Sequence, residues 1–172
     1  LSLKNGFYGE KNVKIPFPKD ARNIADKLNK MGQQKQVDAC ILSINRAAED
    51  AVRSAMPIFV DAINKMSVED GIGIIKGGKT AGTDYLKGKT NDELISAFEP
   101  IIKNSLKKVD ATKYWKSLIA FYNKVPFVEK VNPKLENYVT EKTIDGMFFM
   151  LAKEELRIRE KEDARTSSLL RK

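Results

Sequence analysis

Along most of this chain the apolar residues recur every three or four positions, and almost nowhere do they alternate. That period places them on one side of an α-helix and leaves little for a β-sheet. Val37, Ile41, Ile44, Ala48, Ala51 and Ala55, with Val52 alongside, define one helix from about Val37 to Met56, whose second half is an alanine seam. Small side chains on such a seam let a neighbouring backbone come close. Pro57 kinks or restarts the path into Ile58–Met66. Ser67, followed by Glu69 and Asp70, has the composition of a helix start: a hydroxyl to cap, then acids where the helix dipole favours them. That helix should fail at Gly77-Gly78. After a short piece around Tyr85 and Leu86, Thr90-Asn-Asp-Glu93 has the form of a capping box. It opens a helix with Leu94, Phe98, Ile101, Ile102, Ser105 and Val109 on one side, and Pro100 predicts a kink inside it. Asp110 starts a helix bearing Trp115, Leu118, Ile119, Tyr122 and Val125, which Pro126 closes. Asn132-Pro133 starts the last long one, with Ile144, Met147, Phe148, Leu151 and Ile158.

The ends read differently. Asn5-Gly6 through Pro16-Phe17-Pro18 is punctuated by Gly and Pro, and residues before Pro avoid the α region, so residues 1–17 are expected as an extended arm. Pro18 then fits the first turn of a helix with Ile24 and Leu28 that stops at Gly32. Residues 164–172, with Leu169 and Leu170 adjacent, add a C-terminal segment. The expectation is an all-α fold, one domain over residues 1–172, with roughly seven or eight short-to-medium helices.

Composition narrows the chemistry. The chain has 172 residues, 42% of them hydrophobic, with no His and one Cys. His-based triads, Cys–His pairs, the usual zinc sites and a disulfide scaffold are thereby excluded, and a metal would need oxygen ligands alone. No apolar run approaches the ~20 residues that span a bilayer. The formal charge is +8, from 31 Lys and Arg against 23 Asp and Glu. The excess is spread along the chain, and only seven of the bases are Arg, the residue suited to bidentate phosphate and base contacts. Nucleic acid is therefore not an expected partner. Lys103, Lys107 and Lys108 suit a helix C-terminus, where cations offset the dipole.

Three groups of residues invite a chemical reading. Gly73-Ile-Ile-Lys-Gly-Gly78-Lys79-Thr80 satisfies the P-loop expression, in which backbone amides cradle phosphate, the Lys neutralises it and the hydroxyl holds magnesium. Such a loop must follow a buried strand; here the preceding stretch has helical spacing, so a helix terminus is the preferred reading and no cofactor is assigned. Asn45, Arg46 and Glu49 border the alanine seam. Asn45 and Glu49 lie four apart, on one side, either as hydrogen-bonding groups that fix packing or as the polar wall of a pocket. On the last helix Asp145 and Glu155 approach the apolar side with Arg159 and Arg165 near in sequence. A carboxylate on a core stripe needs a partner, and an internal Glu–Arg pair is expected. Trp115, Tyr114, Phe121 and Tyr122 are read as core aromatics, and Cys40 as a small core residue.

The segments Asn45-Arg46-Ala-Ala-Glu49, Pro57-Ile-Phe59, Thr83-x-Tyr85-Leu86, Phe98-x-Pro100-Ile101, Tyr138-Val-Thr140, Asp145-Gly146-Met-Phe148 and Ala164-Arg165-Thr166, in this order and spacing, resemble the bacterial domain-of-unknown-function family 4197. The resemblance covers nearly the whole chain. It implies a helical protein, usually exported behind a signal or lipoprotein segment, with no catalytic residues to carry over, and a Gly73–Thr80 stretch that is not P-loop-like in relatives. The resemblance implies a periplasmic or cell-envelope location as the expectation. With Leu1 in place of Met, a preceding segment is expected to have been removed. The leading functional expectation is a helical domain that binds a small ligand or a protein partner through Asn45, Arg46, Glu49, Asp145, Glu155, Arg159 and Arg165. The alternatives are a carboxylate-based hydrolase with an oxygen-ligated divalent metal, and Lys-mediated binding to an anionic surface.

Overall fold

A computed structural model describes residues 6–18, 34–108 and 134–161, with isolated positions between 25 and 32 and between 112 and 123. All regular structure among them is helical: α1 (Gln34–Val52), α2 (Ala55–Asn64), α3 (Val68–Lys76), α4 (Ala81–Lys108) and α5 (Leu135–Glu160). Further helical residues occur at 25, 26, 29 and 30 and at 112, 115, 116, 119 and 120. The described residues thus carry fewer and longer helices than the seven or eight expected. Ile24, Leu28, Val109, Asp110, Tyr114, Leu118, Phe121, Tyr122, Val125, Pro126, Asn132-Pro133 and the 164–172 segment lie outside the described residues.

α4 is the axis of the fold and touches each of the other four helices. Leu94, Phe98, Ile102 and Leu106, four apart, form its buried stripe. Against it α1 sets Val37, Cys40, Ile44 and the seam Ala47, Ala48 and Ala51, while α5 sets Leu135, Val139, Ile144, Met147 and Phe148. Cys40 is buried as expected, and that burial pushes its thiol up to about 12.

Two expectations need correction. Tyr85-Leu86 and the Thr90 segment are a single helix, and Thr90 does not cap it. The Thr90 hydroxyl donates to Leu86 O at 2.7 Å, four residues back, an alternative that satisfies a Thr inside a helix. Pro100 lies inside α4, as the sequence places it. Ser67, in contrast, caps α3 as read: its hydroxyl accepts from Asp70 N and the Asp70 carboxylate accepts from Ser67 N, both at 3.1 Å. Pro57 lies in the first turn of α2, where its missing N–H has no helical partner to lose.

The arm is non-helical, but it is no appendage. It turns back at Glu10, where Val13 N and Lys14 N both donate to Glu10 O, and it buries Phe7, Val13, Ile15 and Phe17 in the core. The Phe17 ring rests 5.4 Å from that of Trp115. Gly146 of α5 makes room for it, since a Cβ there would fall 2.7 Å from Phe7 Cε1 and 3.3 Å from Val13 Cβ. Ala is normally the better helix former by ~1 kcal/mol. Gly146→Ala is nonetheless expected to destabilise the protein, because overpacking costs about 1–3 kcal/mol. Thermal unfolding followed by circular dichroism checks this, and Phe7→Leu in the Gly146→Ala background should recover part of the loss.

Candidate functional site

The polar residues singled out on α1 hold the arm. Asn45 is fully buried, and its side chain reads the backbone of Ile15 as a neighbouring strand would: Oδ1 accepts from Ile15 N and Nδ2 donates to Ile15 O, each at 2.9 Å. Nδ2 also donates to Ile41 O at 2.8 Å. One turn on, Glu49 Oε1 accepts from Phe7 N at 3.2 Å and Tyr8 N at 3.4 Å, and its other oxygen takes the Arg46 guanidinium at 2.6 Å. Two turns of helix therefore grip two stretches of arm. Asn45 and Glu49 do not bond to one another as a helix-packing pair.

Asp145 is elsewhere, on the exposed side of α5, 3.2 Å from Lys142 Nζ and 3.9 Å from Lys87 Nζ. It lines a groove of about 320 Å³ between α5 and the arm, with Lys142, Gly146 and Phe149 on one wall and Asn12 to Pro16 on the other. Asn45 reaches this groove only through Ile15.

Glu155 and Arg159 form the expected internal pair, at 2.7 Å, and tie α5 to the junction of α3 and α4. Glu155 Oε1 accepts from Gly82 N at 2.9 Å, and Oε2 accepts from Thr83 N and Thr83 Oγ1, each at 2.8 Å. Arg159 also donates to Ile74 O at 2.8 Å, near the C-terminus of α3. Burial opposes ionisation of the Glu155 carboxyl, but the donors of Gly82, Thr83 and Arg159 outweigh it and hold its pKa below the ordinary value. Gly73, Gly78, Lys79 and Thr80 fall around this junction. Gly73 lies within α3, so a helix precedes the turn where a P-loop has a strand. The first amides of α4, where a P-loop would hold phosphate, carry the Glu155 carboxylate. Lys79 pairs with Glu160 at 2.8 Å, and Thr80 Oγ1 donates to Asp84 at 3.0 Å. A second concavity of about 370 Å³ opens beside α3, between Glu69, Asp70, Gly73 and Ile74 and the Ala81 and Tyr85 of α4.

The seven candidates thus fall in three places, apart from Arg165, which lies outside the described residues. No group of three or more potential metal ligands occurs among the described residues. No described helix is long and apolar enough to cross a membrane.

A fourth feature was not singled out in the sequence. α2 turns Ala55, Ile58 and Ala62 inward, yet it also carries Met56, Val60 and Ile63, which are 65%, 46% and 51% exposed. α3 repeats the same spacing with Val68, Ile72 and Ile75 at 77%, 46% and 78%, and none of its residues is buried. A helix apolar on more than one side belongs in an interior, or under a partner. The signal was present in α2 as two interleaved stripes, Ala55, Ile58 and Ala62 at spacings of three and four and Met56, Val60 and Ile63 at spacings of four and three.

A family model described as protein of unknown function (DUF4197) matches residues 1–172. No curated protein and no solved structure matches the chain.

Proposed function

We propose that this chain, which belongs to the family of proteins of unknown function DUF4197, is a helical protein-interaction domain whose docking surface is the outward apolar side of α2 and α3. The observation that carries the reading is the exposure of six large aliphatic side chains on two consecutive short helices. α3 is nine residues long, too short to persist in water through helix propensity alone. It is fixed instead by its capping box, by Tyr85 Oη on Asp70 at 3.4 Å and by Arg159 on Ile74 O. Such polar fixings hold the helix out from the core while leaving its apolar stripe in water, the arrangement a docking surface requires. An envelope location, implied by the family resemblance, is part of the proposal. The Asp145 groove is at the lower end of ligand-site volumes and open, which favours the apolar face over a small-ligand site.

The test is position-specific photo-crosslinking in cells, with the reactive residue at Ile63, Ile72 or Ile75 and, as controls, at the exposed Lys11 and Lys134. A discrete crosslinked product of fixed mass is expected from the three face positions and not from the controls. Equal labelling at all five positions would falsify the reading.

A further inference from the structure

Resting on that reading, we infer that the occupant of the face is a second copy of this chain, paired through antiparallel α3 helices about a two-fold axis near Ile72. The charges flanking the stripe support this choice. Glu69 and Lys76 are seven residues apart, two helical turns, and so stand on the same flank of the Val68, Ile72 and Ile75 stripe. Both are exposed, and neither makes a salt bridge among the described residues. When two such helices lie antiparallel, each flank faces the same flank of its mate. Glu69 of each copy then meets Lys76 of the other, twice per dimer, as flanking charges do in a coiled coil. Antiparallel packing also sets the acidic first turn of one helix beside the basic last turn of the other and opposes their dipoles.

The three α3 side chains leave on the order of 350 Å² in water, and Met56, Val60 and Ile63 on the preceding helix add exposed apolar surface toward the ~800 Å² per partner that a standard-size interface buries. Α membrane surface fits the charges less well, because Glu69, Asp61 and Glu93 are exposed on and around these helices as well as Lys65 and Lys76.

The experiment is sedimentation velocity on the purified chain across a concentration series, with the variants Ile72→Lys, Glu69→Lys, Lys76→Glu and the double reversal Glu69→Lys/Lys76→Glu. The native chain should dimerise, and Ile72→Lys should be monomeric with unchanged helical circular dichroism. Each single reversal should raise the dimer Kd by about tenfold, because two attractive pairs become two repulsive ones. The double reversal should return the Kd to within about threefold of the native value. Failure of the double reversal to recover overturns the antiparallel pairing. A native chain that is monomeric at all concentrations overturns the dimer, as does loss of the dimer with none of the face substitutions. If the monomeric chain still gives face-specific crosslinks to another protein, the interaction reading stands without the second copy. If it instead sediments with vesicles of 30% anionic lipid and Ile72→Lys does not, a lipid surface replaces both.

Discussion

Asn45→Asp is expected to destabilise this protein more than Asn45→Ala, although it changes one atom and keeps the shape. In the native protein Asn45 Nδ2 donates to two carbonyls, Ile15 O and Ile41 O, while Oδ1 accepts from Ile15 N. Ala removes all three bonds and leaves the Ile15 N–H and carbonyl buried without partners, at a cost of about 2–4 kcal/mol. Asp keeps the acceptor for Ile15 N but places a second acceptor against two carbonyl oxygens, in a site with no water contact. Its ionised form has no donor to offer, and burying a charge without a partner costs several kcal/mol more. The Asp variant therefore has a raised carboxyl pKa when folded. A protonated Asp can donate to one of the carbonyls, so its deficit relative to the native chain should shrink as the pH falls. Urea unfolding at pH 7 and pH 5 measures this, and tryptic cleavage at Lys11 and Lys14 reports whether the arm leaves first. An Asp variant as stable as native, or a deficit unchanged with pH, would contradict the clamp.

How far the sequence disclosed this architecture depended on how local each determinant is. The cap of α3 was legible because Ser67 and Asp70 are three residues apart and complete each other. The polar character of Asn45 and Glu49 beside an alanine seam marked them as groups that must be satisfied, but their partners lie 30 and 42 residues away on the arm. Nothing in a Gly- and Pro-punctuated stretch reveals that Phe7, Val13, Ile15 and Phe17 belong to the core. The start of α4 was misplaced for the same reason. It is set by a carboxylate 73 residues downstream, while the local capping pattern at Thr90 is overruled by a continuous helix. The outward stripe of α2 was hidden differently. Ala55, Ile58 and Ala62 interleave with Met56, Val60 and Ile63, so the segment reads as uniformly apolar until the structure shows which set faces the core.

Removing Glu155 should have the second large effect, and it reaches the proposed docking surface. Its carboxylate joins the first amides of α4 to Arg159, which in turn holds the last turn of α3. Glu155→Ala leaves Gly82 N and Thr83 N without that acceptor and takes the carboxylate away from the Arg159 guanidinium in a half-buried site. A loss of about 3 kcal/mol is expected, since two amides lose a charged acceptor and an ion pair is broken at the same point, and thermal unfolding should fall by roughly 6–12 °C. The pH dependence gives an independent readout. The folded carboxyl pKa is depressed below its unfolded value, so its contribution is complete above the unfolded pKa of ~4.3 and is lost as the pH falls through the folded one. The native chain should lose stability on acidification more steeply than Glu155→Gln, and the two should converge once the carboxylate is protonated. Parallel curves would show that Glu155 does not act through its charge. Because α3 has no buried residue of its own, hydrogen exchange in α3 should quicken in Glu155→Ala before that of α1 or α5 does. Dimerisation or crosslinking through Ile72 should then weaken in a variant whose face is chemically intact. The Glu155–Arg159 pair is in this sense a positioning device: it holds in place a helix that the core itself barely holds.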